Sequence, residues 1–156
     1  MIHSVTKEVE WDMAHRLYLH EGLCKNLHGH RYKLQVTVEG PILSNATDPQ
    51  DGMIIDFSNL SSAIKNVIVD KLDHACMICQ DDDVMVKFQL DNPTMKIVVV
   101  ESSPTAEYMA LWIYNKLRNE LGSIITNVRV YETPTSYADF NKKDPTTKPY
   151  KSNFVE

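Results

Sequence analysis

Long hydrophobic runs are missing from this chain. No apolar stretch approaches the ~20 residues of a membrane-spanning helix, and Met1-Ile2-His3-Ser4 lacks a signal peptide's apolar core. Cysteine is scarce: three, an odd number, do not make a disulfide framework and fit a reduced cytoplasm. An excess of positive charge is absent as well. The formal net charge of −5 argues against a general nucleic-acid or anionic-membrane binder. There is no phosphate-cradling glycine loop, no serine nucleophile elbow and no internal repeat. What remains is one ordinary globular domain of 156 residues, 43% hydrophobic and 24% charged, long enough to bury a sizeable core.

Against that background one stretch concentrates chemistry. Cys24-Lys25-Asn26-Leu27-His28-Gly29-His30-Arg31-Tyr32 holds a thiol, two imidazoles and a glycine at the mouth of a strand. From Tyr32, apolar Tyr32, Leu34, Val36 and Val38 alternate with Lys33, Gln35, Thr37 and Glu39, a period of two. Extended backwards, that parity puts His28 and His30 on one face with Cα atoms roughly 6–7 Å apart, close enough to share a metal ion. Gly29 between them allows a close approach. Two such histidines can also sit on a half-wet sheet face. His15, at the end of an earlier strand-like run, supplies a third imidazole, and catalytic zinc sites commonly take three protein ligands with one open position. Nearby, Arg16, Lys25, Arg31 and Lys33 face only Glu21. They make either a pocket for an anionic substrate or a solvated basic rim.

Along the chain, residues 2–13 read as a first long strand and residues 28–39 as a second, stopped by Gly40-Pro41. Residues 44–52 are dense in turn formers, and Met53-Ile54-Ile55 reads as a short edge segment. Asp56 caps a helix whose Phe57, Leu60, Ile64, Val67, Ile68 and Leu72 recur at three and four. It ends at Asp73-His74, which is either a cap or a carboxylate that orients an imidazole for proton transfer. Cys76 and Cys79 form a CxxC without a partner pair and read as filler near a core edge. Asp81-Asp82-Asp83 opens a short helix that Asn92-Pro93 breaks. Residues 96–101 are a strand, Pro104-Thr105-Ala106-Glu107 starts a second long helix ended by Gly122, and residues 127–132 are the last strand. Glu132 shares parity with Val128 and Val130, so it is either a ligand anchor on an apolar face or a strand-end residue turned to water. After Phe140 the composition becomes that of a tail. The expected fold is therefore α+β: a four-stranded antiparallel sheet with two long helices on one face and open edges that association would cover. Residues 1–140 form the domain and 141–156 the tail.

Six motifs occur together in order: Ala14-His15-Arg16-Leu17, Cys24-x3-His28-Gly29-His30-x-Tyr32, Gly52-Met53-Ile54-Ile55-Asp56-Phe57, Leu72-Asp73-His74, Pro104-Thr105-Ala106-Glu107, and Glu132-Thr133-Pro134-Thr135. Over roughly residues 2–140 the chain resembles the 6-pyruvoyltetrahydropterin synthase and 6-carboxytetrahydropterin synthase family. The resemblance implies the tunnelling fold, in which three subunits join their sheets into a β-barrel and two barrels stack as a homohexamer. It implies zinc on His15, His28 and His30, a catalytic thiol at Cys24 working with Asp73 and His74, and a pterin held by Glu132, with Thr105 and Glu107 lining the pocket. Sites of this family form between subunits.

Three residues separate Cys24 from His28, as in the bacterial 6-carboxytetrahydropterin synthases of queuosine and 7-deazaguanine synthesis. That branch converts 7,8-dihydroneopterin triphosphate to 6-carboxy-5,6,7,8-tetrahydropterin, acetaldehyde and triphosphate. The alternatives are 6-pyruvoyltetrahydropterin formation and a non-catalytic zinc-binding member of the fold. Arg16, Lys25 and Arg31 are candidates for the triphosphate. The segment between His74 and Pro104, and the tail after Phe140, are longer than in compact bacterial relatives.

Overall fold

Two stretches of alternating sequence have one physical outcome, a pair of long strands with a face that must leave water. The computed structural model, which describes residues 1–142, pairs them antiparallel as β1 (His3–His15) and β2 (His28–Gly40). Their register is unbroken from His3↔Gly40 to His15↔His28. On the inner face Trp11, Met13, Tyr32, Leu34, Val36 and Val38 are buried, and the rings of Trp11 and Tyr32 stack at 5.6 Å. On the outer face Thr6, Glu8, Glu10 and Asp12 lie opposite Thr37, Gln35, Lys33 and Arg31.

Four more strands, β3 (Ala75–Cys79), β4 (Ile97–Val100), β5 (Ile125–Thr133) and β6 (Ser136–Asn141), complete a sheet ordered β4-β3-β1-β2-β5-β6. This corrects the expected four-stranded antiparallel sheet. β3 runs parallel to β1 and β4 parallel to β3, so the sheet is mixed. β3 escapes a period-two reading because Ala75, Met77, Ile78 and Cys79 are all buried and the run has no polar side to alternate with. Cys76 and Cys79, three apart in a strand, project to opposite faces, and all three cysteines are free. β6 escapes because its strand character comes from pairing with β5 through the Pro134-Thr135 turn. Met53-Ile54-Ile55 forms no strand; Ile54 and Ile55 pack against the core instead. The expected tail beyond Lys142 lies outside the described residues.

The helices follow their start signals. α1 (Phe57–Ile64) begins at Asp56, whose carboxylate accepts from the Ser58 N–H at 2.6 Å. It continues through a π turn at Lys65–Val69 into α2 (Asp70–Leu72), and Leu60, Ile64, Ile68 and Leu72, four apart, are fully buried. α3 (Asp83–Asp91) is capped by Asp82. α4 (Ala106–Leu121) starts at Thr105 and stops at Gly122, whose φ of +61° lies in the left-handed region that a side chain disfavours. Met109, Ala110, Ile113 and Leu117 of α4 join α1 and the inner face of the sheet in one core.

Two outcomes check this packing. Ile113→Ala, at a fully buried α4 position, is expected to cost about 2–5 kcal/mol, read from urea unfolding as a lowered midpoint at constant m. On the outer face, Arg129 donates two bonds to Asp139 across the β5–β6 hairpin, both at 2.8 Å, and this guanidinium holds Asp139 below the usual carboxylate range. A depressed carboxylate contributes stability above its unfolded pKa and loses it as pH falls through the folded one. Asp139→Asn should therefore lower the Tm at neutral pH, with the wild-type and variant curves converging in acid.

Candidate metal centre

The β1–β2 register ends on the pair His15↔His28, with His30 two residues further along β2 on the same face. The three rings meet with centroids 4.6, 5.2 and 5.1 Å apart, and one nitrogen from each lies within 4.8 Å of the others. This set can hold one metal ion. Gly29 carries no side chain here because an added Cβ would meet the Met13 carbonyl of β1 at 3.0 Å. The close approach it permits is that of the neighbouring strand.

Backbone carbonyls decide which nitrogens are free. His15 Nδ1 is 2.8 Å from the Pro104 carbonyl oxygen and His28 Nδ1 is 2.7 Å from that of Asn26, so each Nδ1–H donates outward and each Nε2 presents its lone pair. His15 Nε2 is buried with no hydrogen-bond partner. Burial, and then the neighbouring imidazoles, outweigh the Pro104 contact and lower the His15 pKa to about 4. The ring is neutral at physiological pH, the form a metal requires. A buried orphaned lone pair facing two more imidazoles fits a divalent cation such as zinc. Glu132 completes this corner: Oε1 lies 3.8 Å from His15 Nε2, and the carboxylate is on the inner face, as its parity with Val128 and Val130 anticipates.

Other singled-out residues sit elsewhere. Asp73 and His74 are pinned to β1 by Asp12: its N–H donates to Asp73 Oδ1 at 3.2 Å, and its carbonyl accepts from the His74 N–H at 2.8 Å. The Asp12 N–H is the main reason the Asp73 carboxyl is held below its usual range. His74 Nδ1 is 3.0 Å from Asp73 Oδ1, and Lys96 Nζ donates to the Asp70 and Asp73 carbonyls at 2.9 and 2.7 Å. His74 has φ +59°, a strained value for a residue with a Cβ. It opens into a cleft of 520 Å³ lined by Asp12, Ala14 and Arg31 and also by Met13 and His30. Cys24 is half-buried on a short 3-10 turn (Leu23–Lys25) whose loop is closed by Leu17 N–H donating to the Cys24 carbonyl at 2.8 Å. Thr105 Oγ1 accepts from the Tyr108 N–H at 3.2 Å as the α4 cap, and Glu107 is exposed in the first turn of that helix.

Two candidate phosphate ligands are otherwise engaged. Arg16 forks onto buried Asp82, Nε to Oδ2 at 2.6 Å and Nη2 to Oδ1 at 2.8 Å, and Arg31 bridges Glu10 and Asp12 at 3.0 and 2.9 Å. Lys25 is exposed. Sequence reasoning passed over the carbonyls of Pro104 and Asn26, although both flank named motifs. It had no signal for Asp82, 66 residues from its partner.

A profile of the family described as 6-pyruvoyl tetrahydropterin synthase matches residues 4–143. The chain belongs to the 6-pyruvoyl tetrahydropterin synthase family. Within this synthase family it is similar to the 6-carboxy-5,6,7,8-tetrahydropterin synthase of Haemophilus influenzae, 38% identical over 141 residues covering 89% of this chain and 99% of the relative. It is similar to the putative 6-carboxy-5,6,7,8-tetrahydropterin synthase of Pyrococcus horikoshii at 34% over 143 residues, 83% of this chain and 84% of the relative. Among solved structures, an uncharacterized protein from Wolinella succinogenes shares the fold with TM-score 0.76 at 24% identity, over 92% of this chain and 99% of that one. Caenorhabditis elegans 6-pyruvoyl tetrahydropterin synthase superposes with TM-score 0.65 at 25% identity, over 90% and 96%.

Removing His28 tests the ligand set of this synthase-family chain. Elemental analysis of His28→Ala after zinc loading and gel filtration is expected to find at least tenfold looser metal binding, in line with the loss of a ligand; full occupancy would mean the imidazoles are not the ligands.

Proposed function

We propose that the chain is a zinc-dependent 6-carboxytetrahydropterin synthase. It takes 7,8-dihydroneopterin triphosphate and one water to 6-carboxy-5,6,7,8-tetrahydropterin, releasing acetaldehyde and triphosphate. The observation that carries the reading is the convergence of three imidazoles and the Glu132 carboxylate at one sheet end. The names of the H. influenzae and P. horikoshii relatives and the three-residue spacing from Cys24 to His28 favour this product.

His15, His28 and His30 would hold a zinc ion, which would supply Lewis-acid chemistry to the substrate side chain. Glu132 pairs with the guanidine-like edge of the pterin through two hydrogen bonds and so orients the substrate ring. Cys24, beside cationic Lys25, serves as the thiolate base for a side-chain proton. His74, oriented by Asp73, moves a second proton. That pair is exposed within one chain and serves a site shared with a neighbouring subunit. Thr105 and Glu107, at the cap and in the first turn of α4 just after Pro104, are assigned to the wall of the pterin pocket.

Association fits the open edges of the sheet. Among the described residues β4 and β6 lack a neighbouring strand on one side, and β1 pairs with β3 only at Met13–His15. We assign the assembly as a homohexamer acting in the cytoplasm. No helix among the described residues is long and apolar enough to cross a membrane.

The family description and the C. elegans neighbour favour a second product, 6-pyruvoyltetrahydropterin, formed without carbon–carbon cleavage. Mass analysis after incubation with 7,8-dihydroneopterin triphosphate separates the two: acetaldehyde and the carboxy product are expected, and a pyruvoyl product without acetaldehyde would overturn the assignment. Cys24→Ala should keep its zinc and lose turnover by about 10²-fold or more; retained activity would remove Cys24 from the chemistry.

A further inference from the structure

A buried row crosses the inner face one step inside the imidazoles. Trp11 on β1 pairs with Tyr32 on β2, and extending the β2–β5 register by one from Lys33↔Tyr131 sets Tyr32 opposite Glu132. Residues directly opposite on one face bring their Cβ atoms to about 4.5–5.5 Å. The Tyr32 ring packs nearly perpendicular to His15 and His30, with centroids 5.8 and 5.5 Å away. It is fully buried, yet its hydroxyl has no hydrogen-bond partner.

A phenylalanine would fill the same space without stranding an oxygen in the core, and buried hydroxyls without partners are costly. The acceptor on this row is Glu132. Among the described residues its ionic neighbour is His15 Nε2, at 3.8 Å and beyond hydrogen-bond reach. A phenol hydroxyl can donate, and a carboxylate only accepts.

We propose that the Tyr32 hydroxyl is the donor that fixes the Glu132 carboxylate when Glu132 engages its ligand, which makes Tyr32 a positioning residue of the ligand clamp. The inference rests on Glu132 being the pterin anchor. It assigns a role to the last residue of the His28-Gly29-His30-x-Tyr32 motif, which neither metal binding nor proton transfer uses.

The test titrates zinc-loaded protein with 7,8-dihydroneopterin, followed by fluorescence, beside steady-state kinetics with the triphosphate. In Tyr32→Phe the Kd and KM are expected to rise about tenfold or more, the loss typical of a hydrogen bond to a charged group. kcat and zinc content should hold, and Tm should stay or rise because a stranded hydroxyl is gone. In a Glu132→Gln background the same substitution should add little, since the two groups act through one contact. Unchanged affinity in Tyr32→Phe, or equal losses in both backgrounds, would overturn the inference alone. A wild-type protein that does not bind the pterin would overturn the reading of Glu132, and this inference with it.

Discussion

A neutral imidazole offers a metal only one lone pair, and the contact made by its other nitrogen decides which. Here that choice is made by main chain. The Pro104 carbonyl takes the Nδ1–H of His15 and the Asn26 carbonyl takes that of His28. Carbonyls cannot change rotamer, so the two Nε2 atoms are aimed as firmly as the loops that carry them. Those loops are themselves fixed: Pro104 precedes the capped start of α4, and Asn26 closes the short turn that bears Cys24. The unbroken β1–β2 register then sets His15 beside His28. A one-residue slip would send the rings to opposite faces and end the site.

The inner face ends in imidazoles and Glu132, while the Asp73–His74 corner hangs from the Asp12 main chain at the β1 edge. The strained His74 backbone is held by Asp12 on one side and by Lys96 through the preceding carbonyls on the other. Such over-determination is what keeps a non-glycine residue in a left-handed conformation. Among the described residues β1 pairs with β3 only over Met13–His15, so most of that edge of β1 carries no neighbouring strand.

Much of this is legible in the residues because a half-wet strand leaves a period of two and a capped helix leaves a start and a stop. β1, β2, α1 and α4 carry such marks in Val9-Glu10-Trp11, Tyr32 to Glu39, Asp56 and Thr105. The histidine triad is legible for the same reason, since parity places His28 and His30 together. β3 carries no mark, because a parallel strand buried on both sides reads like any apolar run. The fate of the basic residues is equally hidden. Arg16 looks free until α3 delivers Asp82 to it, and Arg31 looks free until β1 lays Glu10 and Asp12 alongside. Pairings of that kind depend on tertiary register, which local composition does not encode.

The central claim is that three imidazole nitrogens, and no sulfur, bind zinc at the end of the β1–β2 ladder. Zinc K-edge X-ray absorption of the loaded protein measures this directly. The account predicts a first shell of nitrogen and oxygen at about 2.0–2.1 Å that includes three imidazoles. A sulfur scatterer at about 2.3 Å, or a shell without imidazole, would contradict it.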